Sequence, residues 1–301
     1  MKKVFTILFL SSSLISLGQI KQEDFYSVKE KADKGDAEAQ NELAIRYEVG
    51  KEGAPKSPEK AFYYYQKAAE QGVAYAQCSL ALMYSLGNFV EQSNEKAVYW
   101  YEKAAEQDNV LAQYYLGAAY NQGLGIGRSL EKSIYWWERA GKNGFYPADS
   151  SFNLGLYYYS GDGVPQSYTK AIYWWKKAAE KEHVAAQNNL AMCYTKGLGV
   201  EKSFNIAAYW FIKAADNGYA DAQFTLGNLY FVGNGVQQSF QEAAYYFEQA
   251  AKQGHSKAQL NLGILYYEGK GVSKSFKKAA YWLKEACNNL EYKACEALKL
   301  L

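Results

Sequence analysis

Residues 220–255 read ADAQFTLGNLYFVGNGVQQSFQEAAYYFEQAAKQGH, and this stretch decides the fold. Its first half carries Ala222, Leu226 and Tyr230 at intervals of four residues. Residues at i, i+4 and i+8 lie on one face of an α-helix, because the helix completes a turn about every 3.6 residues. The first half of the stretch therefore predicts a helix with one buried apolar stripe.

A glycine loop and a serine separate this helix from a second one. Gly233 and Gly235 permit the left-handed backbone that ends a helix and turns the chain. Ser239 then stands where its side chain can cap the next helix. Second helices have small and aromatic residues at i, i+3, i+4, i+7 and i+8, as in Ala97, Trp100, Tyr101, Ala104 and Ala105. The stretch thus predicts two helices joined by a tight turn.

The same pattern occurs seven times along the chain. A leucine and a tyrosine four residues later recur at Leu43/Tyr47, Leu80/Tyr84, Leu116/Tyr120, Leu154/Tyr158, Leu190/Tyr194, Leu226/Tyr230 and Leu262/Tyr266. Successive leucines are 37, 36, 38, 36, 36 and 36 residues apart. Each helix pair leaves one apolar face bare, and stacked pairs cover those faces for one another. The sequence therefore predicts an all-α fold, an α/α superhelical solenoid.

The repeat spacing also divides the chain into segments. We place seven repeats within residues 36–290, at about 36–73, 74–110, 111–145, 146–184, 185–219, 220–255 and 256–290. The ends of a solenoid need caps. Residues 19–35 and 291–301 each hold the pattern of a single helix, so we predict an N-terminal and a C-terminal capping helix there.

The N-terminus has the features of a secretory signal peptide. Lys2 and Lys3 precede an apolar run over residues 4–10, and the small residue Gly18 follows. We expect residues 1–18 to be cleaved and the mature chain to be exported, to the periplasm or as a secreted protein. No membrane span should then remain. An uncleaved membrane anchor is the alternative, although the run is too short to cross a bilayer comfortably.

The complete pattern resembles the Sel-1-like repeat family, a relative of tetratricopeptide repeats. The first-helix half of the motif stands as Ala222, Leu226, Gly227, Tyr230, Gly233, Gly235 and Val236, and the second-helix half as Lys96, Ala97, Trp100, Tyr101, Lys103, Ala104 and Ala105. This chain has Ser where the family often has Asp before the second helix, and either residue can cap. The resemblance implies an α/α superhelix that acts as an adaptor or scaffold for other proteins.

The resemblance extends to two of the four cysteines. Cys287 and Cys295 form a C-x7-C pair like that of the cysteine-rich subgroup of this family, where the pair links the end of one repeat to the next. The resemblance implies a disulfide, which an exported protein can keep; two buried thiols are the alternative. Cys78 and Cys193 lie three repeats apart, over about 20 Å at the usual helix spacing. We expect them to be small core residues.

Composition argues against nucleic-acid binding and metal chemistry. Lys plus Arg is 33 and Asp plus Glu is 31, so no strong field attracts nucleic acid. The two histidines, His183 and His255, occupy the same repeat position two repeats apart. At a separation of about 20 Å they cannot share one zinc ion, and we expect both to be exposed turn residues. We predict no catalytic residue, no metal site and no cofactor.

One motif raises an enzymatic alternative. Ser-x-x-Lys, the nucleophile motif of serine β-lactamases, occurs at Ser57/Lys60, Ser93/Lys96, Ser129/Lys132, Ser167/Lys170 and Ser275/Lys278. The resemblance to cysteine-rich relatives associated with β-lactams implies a β-lactam-active hydrolase as this alternative. Its companion motifs Ser-Asp-Asn and Lys-Thr-Gly are absent from the sequence. A capping serine and an exposed lysine explain the recurrence.

We place a candidate binding surface on the first helices, which normally line the concave side of a solenoid. The face opposite the Leu/Tyr stripe varies between copies and carries six aromatic residues: Tyr114, Phe152, Tyr159, Phe224, Phe231 and Tyr267. Aromatic anchors are typical of binding surfaces. We therefore expect these six to hold another protein or peptide. Burial by neighbouring helices is one alternative, and a glycan- or peptidoglycan-binding surface is another, since Tyr and Trp can stack on sugars.

A second aromatic column lies on the second helices. One tyrosine follows the small residue of each copy by two positions, at Tyr63, Tyr99, Tyr135, Tyr173, Tyr209, Tyr245 and Tyr281. Because this tyrosine does not vary between copies, we expect it to pack on the following repeat with its hydroxyl at the edge. The sequence leaves the oligomeric state and the identity of the partner open.

Overall fold

The computed structural model describes residues 24–299, which form sixteen α-helices and no strand. The predicted signal peptide, residues 1–18, lies outside this range. The helices are α1 (Phe25–Asp33), α2 (Ala37–Val49), α3 (Pro58–Glu70), α4 (Ala74–Leu86), α5 (Asn94–Glu106), α6 (Val110–Gln122), α7 (Leu130–Lys142), α8 (Ala148–Ser160), α9 (Tyr168–Ala179), α10 (Val184–Lys196), α11 (Phe204–Asp216), α12 (Ala220–Val232), α13 (Phe240–Lys252), α14 (Ser256–Glu268), α15 (Phe276–Asn288) and α16 (Tyr292–Leu298).

The helices belong to two compact units, which divide at Arg128 and Ser129. The first unit holds α1–α6 and the second holds α7–α16. Within each unit, helices that follow one another in sequence pack against each other. First helices have even numbers from α2 to α14, and second helices have odd numbers from α3 to α15. The all-α architecture of stacked helix pairs is confirmed.

Each second helix begins at a capping serine, as predicted. The hydroxyl oxygen of this serine accepts a hydrogen bond from the backbone N–H three residues later, at Ser57, Ser93, Ser129, Ser167, Ser203, Ser239 and Ser275. The bond satisfies one of the N–H groups that have no partner inside the helix. The Ser-x-x-Lys recurrence therefore has a structural cause in every copy.

The paired glycines of the loop serve two purposes. Gly233 ends α12 in the left-handed region, with φ at +79°. Gly199 combines a φ of +69° with close packing, because a β-carbon there would lie 2.7 Å from the carbonyl carbon of Tyr168. Loops of one repeat can thus rest directly on the N-terminus of the preceding second helix.

The leucine stripe forms the centre of the core in both units. The leucines of the stripe are almost completely buried: Leu43, Leu80, Leu116, Leu154, Leu190, Leu226 and Leu262. Cys78 and Cys193 are buried free thiols, as expected. Burial raises the pKa of the Cys78 thiol to about 12 and that of the Cys193 thiol to about 11. Both remain protonated at neutral pH, so neither is prepared to act as a nucleophile.

A buried glutamine near the start of most first helices joins one repeat to the next. Its Nε2 atom donates to the carbonyl oxygen eight residues earlier, at the end of the preceding second helix or of α1, over 3.0–3.3 Å. These glutamines are Gln40, Gln77, Gln113, Gln187, Gln223 and Gln259. Each of these carbonyls also accepts a backbone N–H from three residues later, so the glutamine adds a second donor at the helix end and links two helices.

Two short helices lie at the ends of the described chain. On α1, the Asp33 carboxylate accepts a hydrogen bond from the Tyr64 hydroxyl at 2.9 Å. At the other end, Cys287 on α15 and Cys295 on α16 form a disulfide, with Cα atoms 4.8 Å apart. The disulfide that the family resemblance implies is therefore confirmed. No helix in the described part of the chain is long and apolar enough to cross a membrane.

The tyrosines of the second-helix column are about half exposed. Their exposed fractions are 52–56%, and packing on the following repeat stays a prediction. Each ring meets the next residue of its own helix edge to face, as Tyr209 meets Trp210 at a centroid distance of 5.0 Å. A lysine four residues later covers part of the ring in several copies, as Lys213 does for Tyr209.

Candidate functional site

A groove of about 420 Å³ lies within the second unit. Four first helices line it, α8, α10, α12 and α14, and the indole of Trp175 closes it from α9. Its apolar wall includes Leu156, Met192 and Leu198. A concave, mainly apolar surface with a few polar groups is typical of ligand sites, so this groove is the candidate binding site of the chain.

The floor of the groove carries an unsatisfied amide. Asn188 on α10 is only 9% exposed and lines the groove. Its Oδ1 atom has no hydrogen-bond partner within residues 24–299. A buried carbonyl oxygen without a donor costs about 1–3 kcal/mol. This oxygen has almost no solvent-accessible surface, so a ligand N–H reaches it only when the Asn188 side chain turns toward the groove.

Aromatic rings form the walls on either side of this amide. On α8, the Tyr159 ring lies 5.3 Å from the Trp175 ring, and the Trp175 Nε1 atom donates to the carbonyl oxygen of Phe152. On α12, the Phe224 ring lies 6.0 Å from the ring of Phe247, which is completely buried. Side chains anchored in this way offer a rigid apolar surface at low entropic cost.

Both histidines take part in the structure next to this surface, and the expectation that they are exposed is wrong. The His255 side chain is 17% exposed, and its ring stacks on Phe224 at a centroid distance of 4.5 Å. Its Nδ1 atom accepts a hydrogen bond from the backbone N–H of Ala258 and so caps α14. His183 caps α10 in the same manner.

Charge at the rim of the groove is mixed. Lys196 and Lys257 are exposed and line it, as does the exposed carboxylate of Asp221. The Asp221 Oδ1 atom lies 3.5 Å from the His255 Nε2 atom. Two ammonium groups against one carboxylate favour an anionic ligand group at this rim.

The structure brings together only part of the predicted binding set. Tyr159 and Phe224 line the groove, and Phe152 stacks on His183 at 4.3 Å. Phe231 lies against Phe240 and Tyr267 against Phe276, with ring centroids 5.2 and 5.5 Å apart. Tyr114 belongs to the first unit, beside Tyr115. Binding of a partner by these six residues stays a prediction.

The sequence reasoning missed several groove residues. Asn188 occupies the same repeat position as Phe152 and Phe224, and this shared position was the available signal. The repeat pattern predicts a core residue at Trp175 and a turn residue at His255. Their place in the groove follows from which repeats stack on which, so a single repeat does not reveal it.

The remaining chemistry of the described residues is structural. Lys170, from one Ser-x-x-Lys copy, lies over the Tyr158 ring at 4.6 Å and donates to its hydroxyl. Lys60, Lys96 and Lys278 lie over the equivalent tyrosines at 4.9–5.3 Å. No group of three or more His, Cys, Asp or Glu side chains that could hold a metal ion occurs among the residues described.

Stacked helix pairs with serine caps and paired loop glycines define an α/α repeat protein of the tetratricopeptide-like class. Comparison with protein-family models identifies the repeat. The Sel1 repeat model matches this chain at residues 37–73, 74–109, 110–145, 148–183, 184–219, 220–255 and 256–289. The chain belongs to the Sel1 repeat family. It is a repeat scaffold of a class that generally mediates protein interactions.

Two solved structures are similar over most of the chain. One is a protective antigen of uropathogenic Escherichia coli with an SLR fold, 34% identical over 93% of this chain, with a TM-score of 0.67. The chain spans 59% of the length of that protein. The other is a Sel1 repeat protein from Oxalobacter formigenes, 28% identical over 94% of both chains, with a TM-score of 0.57. The comparison with curated proteins gave no match.

Proposed function

We propose that this chain is an exported scaffold that binds a segment of another protein in the groove lined by α8, α10, α12 and α14. The observation that carries the proposal is the buried Oδ1 atom of Asn188, which lacks a hydrogen-bond partner beside an aromatic groove. A peptide backbone offers N–H groups at regular intervals and apolar side chains between them. It therefore matches both the amide and the walls.

The sequence and the disulfide support the export part of the proposal. Lys2, Lys3 and the apolar run over residues 4–10 have the order of a signal peptide. The Cys287–Cys295 bond is of a kind that persists in oxidising compartments. Removal of Lys2 and Lys3 with the signal peptide leaves 31 basic and 31 acidic residues, a formally neutral mature chain.

Site-specific photo-crosslinking tests the binding part. A photoreactive amino acid replaces Met192, inside the groove, or Tyr209, which is exposed on a second helix. We expect the Met192 position, and not the Tyr209 position, to crosslink one partner segment that mass spectrometry identifies. A synthetic peptide of that segment should bind the wild-type protein and lose about tenfold or more in affinity with Asn188→Ala.

Tyr267→Ala is the matched control, because Tyr267 is a predicted groove residue that packs on Phe276 instead. If this control weakens the peptide as much as Asn188→Ala does, the groove is not the site. Export is tested separately. Cell fractionation and N-terminal mass spectrometry of the full chain should find a protein that starts near Gln19; retention in the cytoplasm with Met1 intact would contradict it.

A further inference from the structure

Three side chains occur together in two repeats of the second unit. Asp149, Phe152 and His183 form one triad, and Asp221, Phe224 and His255 form the other, at identical spacings. Both histidines of the chain belong to these triads. No other repeat has an aspartate or a phenylalanine at the corresponding positions, where Glu38/Asn41, Tyr75/Cys78, Leu111/Tyr114, Ala185/Asn188 and Lys257/Leu260 stand instead. The three residues therefore occur together as one unit, in two of the seven repeats.

The geometry of the two triads is the same. The histidine rings stack on the phenylalanine rings at 4.3 and 4.5 Å, with interplanar angles of 21° and 25°. Both Nδ1 atoms accept the backbone N–H three residues later at 3.2 Å. Both Nε2 atoms face an aspartate Oδ1, at 3.7 and 3.5 Å. Each histidine thus joins the cap of one first helix to the aromatic anchor of the preceding first helix.

This geometry requires the neutral imidazole. An Nδ1 atom that accepts a backbone N–H must carry a lone pair, which leaves the single ring proton on Nε2, toward the aspartate. Protonation of Nδ1 places two donors against each other and breaks the cap. The charged groups that face His255 are Asp221 on α12 and Lys257 on α14, and Asp149 on α8 faces His183.

We propose that His255 is a positioning residue of the groove, which holds Phe224 in place while its ring is neutral and releases it when the ring is protonated. The inference rests on the proposed function, because it names how the same groove is regulated. His255 and Phe224 both line the groove, whereas His183 lies outside its lining. Ligand binding should therefore weaken in mildly acidic solution through His255 alone.

The direction of titration agrees with this role. Burial lowers the pKa of His255 and is only partly opposed by the Asp221 carboxylate. A histidine with a lowered pKa is neutral at pH 7, so the positioned state is present above the ordinary value of about 6.5 and is lost as pH falls toward the lowered value. The pKa of His183 is also lowered by burial.

The first test needs no ligand. In NMR spectra of the whole mature protein, the ring protons of Phe224 should shift with the same midpoint as the His255 ring between pH 8 and pH 5. In His255→Asn the Phe224 resonances should not titrate. Asparagine keeps the cap, as Asn109 does for Ala112 at 3.0 Å, and has no proton to gain in this range. Phe224 signals that stay fixed while His255 titrates would overturn the proposal.

The second test uses a fluorescein-labelled peptide, selected from a random phage library on the wild-type protein at pH 7.5. We expect its affinity to fall about fivefold or more between pH 7.5 and pH 5.5, the loss that corresponds to one helix cap. The fall should vanish in His255→Asn and persist in His183→Asn. An equal fall in His255→Asn overturns the proposal.

The two proposals fail in distinguishable ways. If selection yields no groove-binding peptide but Phe224 follows His255 in the NMR titration, protein binding by the groove is wrong and the positioning role stands. If a peptide binds in the groove with an affinity that does not depend on pH, the positioning role is wrong and the proposed function stands.

Discussion

The indole ring of Trp175 on α9 lies directly against the Cα atom of Gly155 on α8, so a β-carbon at residue 155 would overlap its Cδ1 and Nε1 atoms. Trp175 is almost fully buried and closes one side of the groove. The contact explains why this first helix has glycine after its leucine, although glycine costs about 1 kcal/mol in a helix relative to alanine.

We therefore predict that Gly155→Ala destabilises the protein despite the gain in helix propensity. Overpacking a core typically costs about 1–3 kcal/mol, so the free energy of unfolding should fall by roughly 1–2 kcal/mol in urea denaturation. The double variant Gly155→Ala/Trp175→Phe should recover most of the loss, because the next repeat has Ala191 and Phe211 at the same two positions. A single variant more stable than the wild type would contradict the contact.

Ser151→Ala should change the free energy of unfolding in the opposite direction. Ser151 takes the repeat position of the buried glutamines, and its fully buried hydroxyl has no hydrogen-bond partner among the described residues. Removal of such a group is expected to raise the free energy of unfolding by about 1 kcal/mol. Ser167→Ala removes the same oxygen where it caps α9 and should lower stability by about 0.5–2 kcal/mol. Equal losses of unfolding free energy in the two variants would show that the Ser151 hydroxyl has a hydrogen-bond partner.

Glu48→Gln should stabilise the first unit at neutral pH. Burial raises the pKa of Glu48. Two smaller effects oppose this shift: the Tyr65 hydroxyl donates to the Oε2 atom at 2.6 Å, and Lys56 contributes a positive charge. A carboxyl whose pKa is raised in the folded state adds stability at pH values below its ordinary pKa. This stability is lost as the pH rises through the raised pKa. We expect the variant to exceed the wild type in thermal stability at pH 7 and to match it near pH 4.

The control for this carboxyl is Glu106→Gln, which changes an exposed glutamate at the end of α5. It should leave the melting temperature unchanged at both pH values. A Glu48→Gln variant that is less stable than the wild type at pH 7 would mean that the charged carboxylate, and not its neutral form, suits the site.

Reduction of the Cys287–Cys295 disulfide should loosen α16 alone. This helix has seven residues, too few to be stable in isolation, and Ala294 is its buried contact with the core around Leu283. Hydrogen exchange measured by mass spectrometry should accelerate about tenfold or more in residues 292–298 after reduction. Exchange in α12 should not change, and unaltered exchange in α16 would contradict a role for the disulfide in holding the helix.

Local features of the fold were predictable from the sequence. Ser239 and Gly233 lie in the capping positions that their spacing indicates, and Leu226 is buried where the stripe places it. Capping and burial of this kind depend on neighbours within one turn of helix. A repeat that recurs seven times makes such signals unambiguous.

The candidate site was only partly predictable. Tyr159 and Phe224 line the groove, whereas Phe231 and Tyr267 lie outside its lining. The helix pattern places all four on the outward face. A ring of the second helix meets Tyr159 as it meets Phe231 and Tyr267, so the pattern and the ring pairs do not tell them apart. The stacking of particular repeats decides which of them border the groove.

The repeat pattern alone determined the helix pairs, their caps and their turns, since each follows from residues close together in sequence. The disulfide between Cys287 and Cys295 was implied by the family resemblance. Contacts between repeats decided the rest. They leave the Asn188 Oδ1 atom without a hydrogen-bond partner beside the groove and put His255 on Phe224, 31 residues away. Stacking joins residues one repeat apart, and the free energy of such contacts depends on the shapes of both partners.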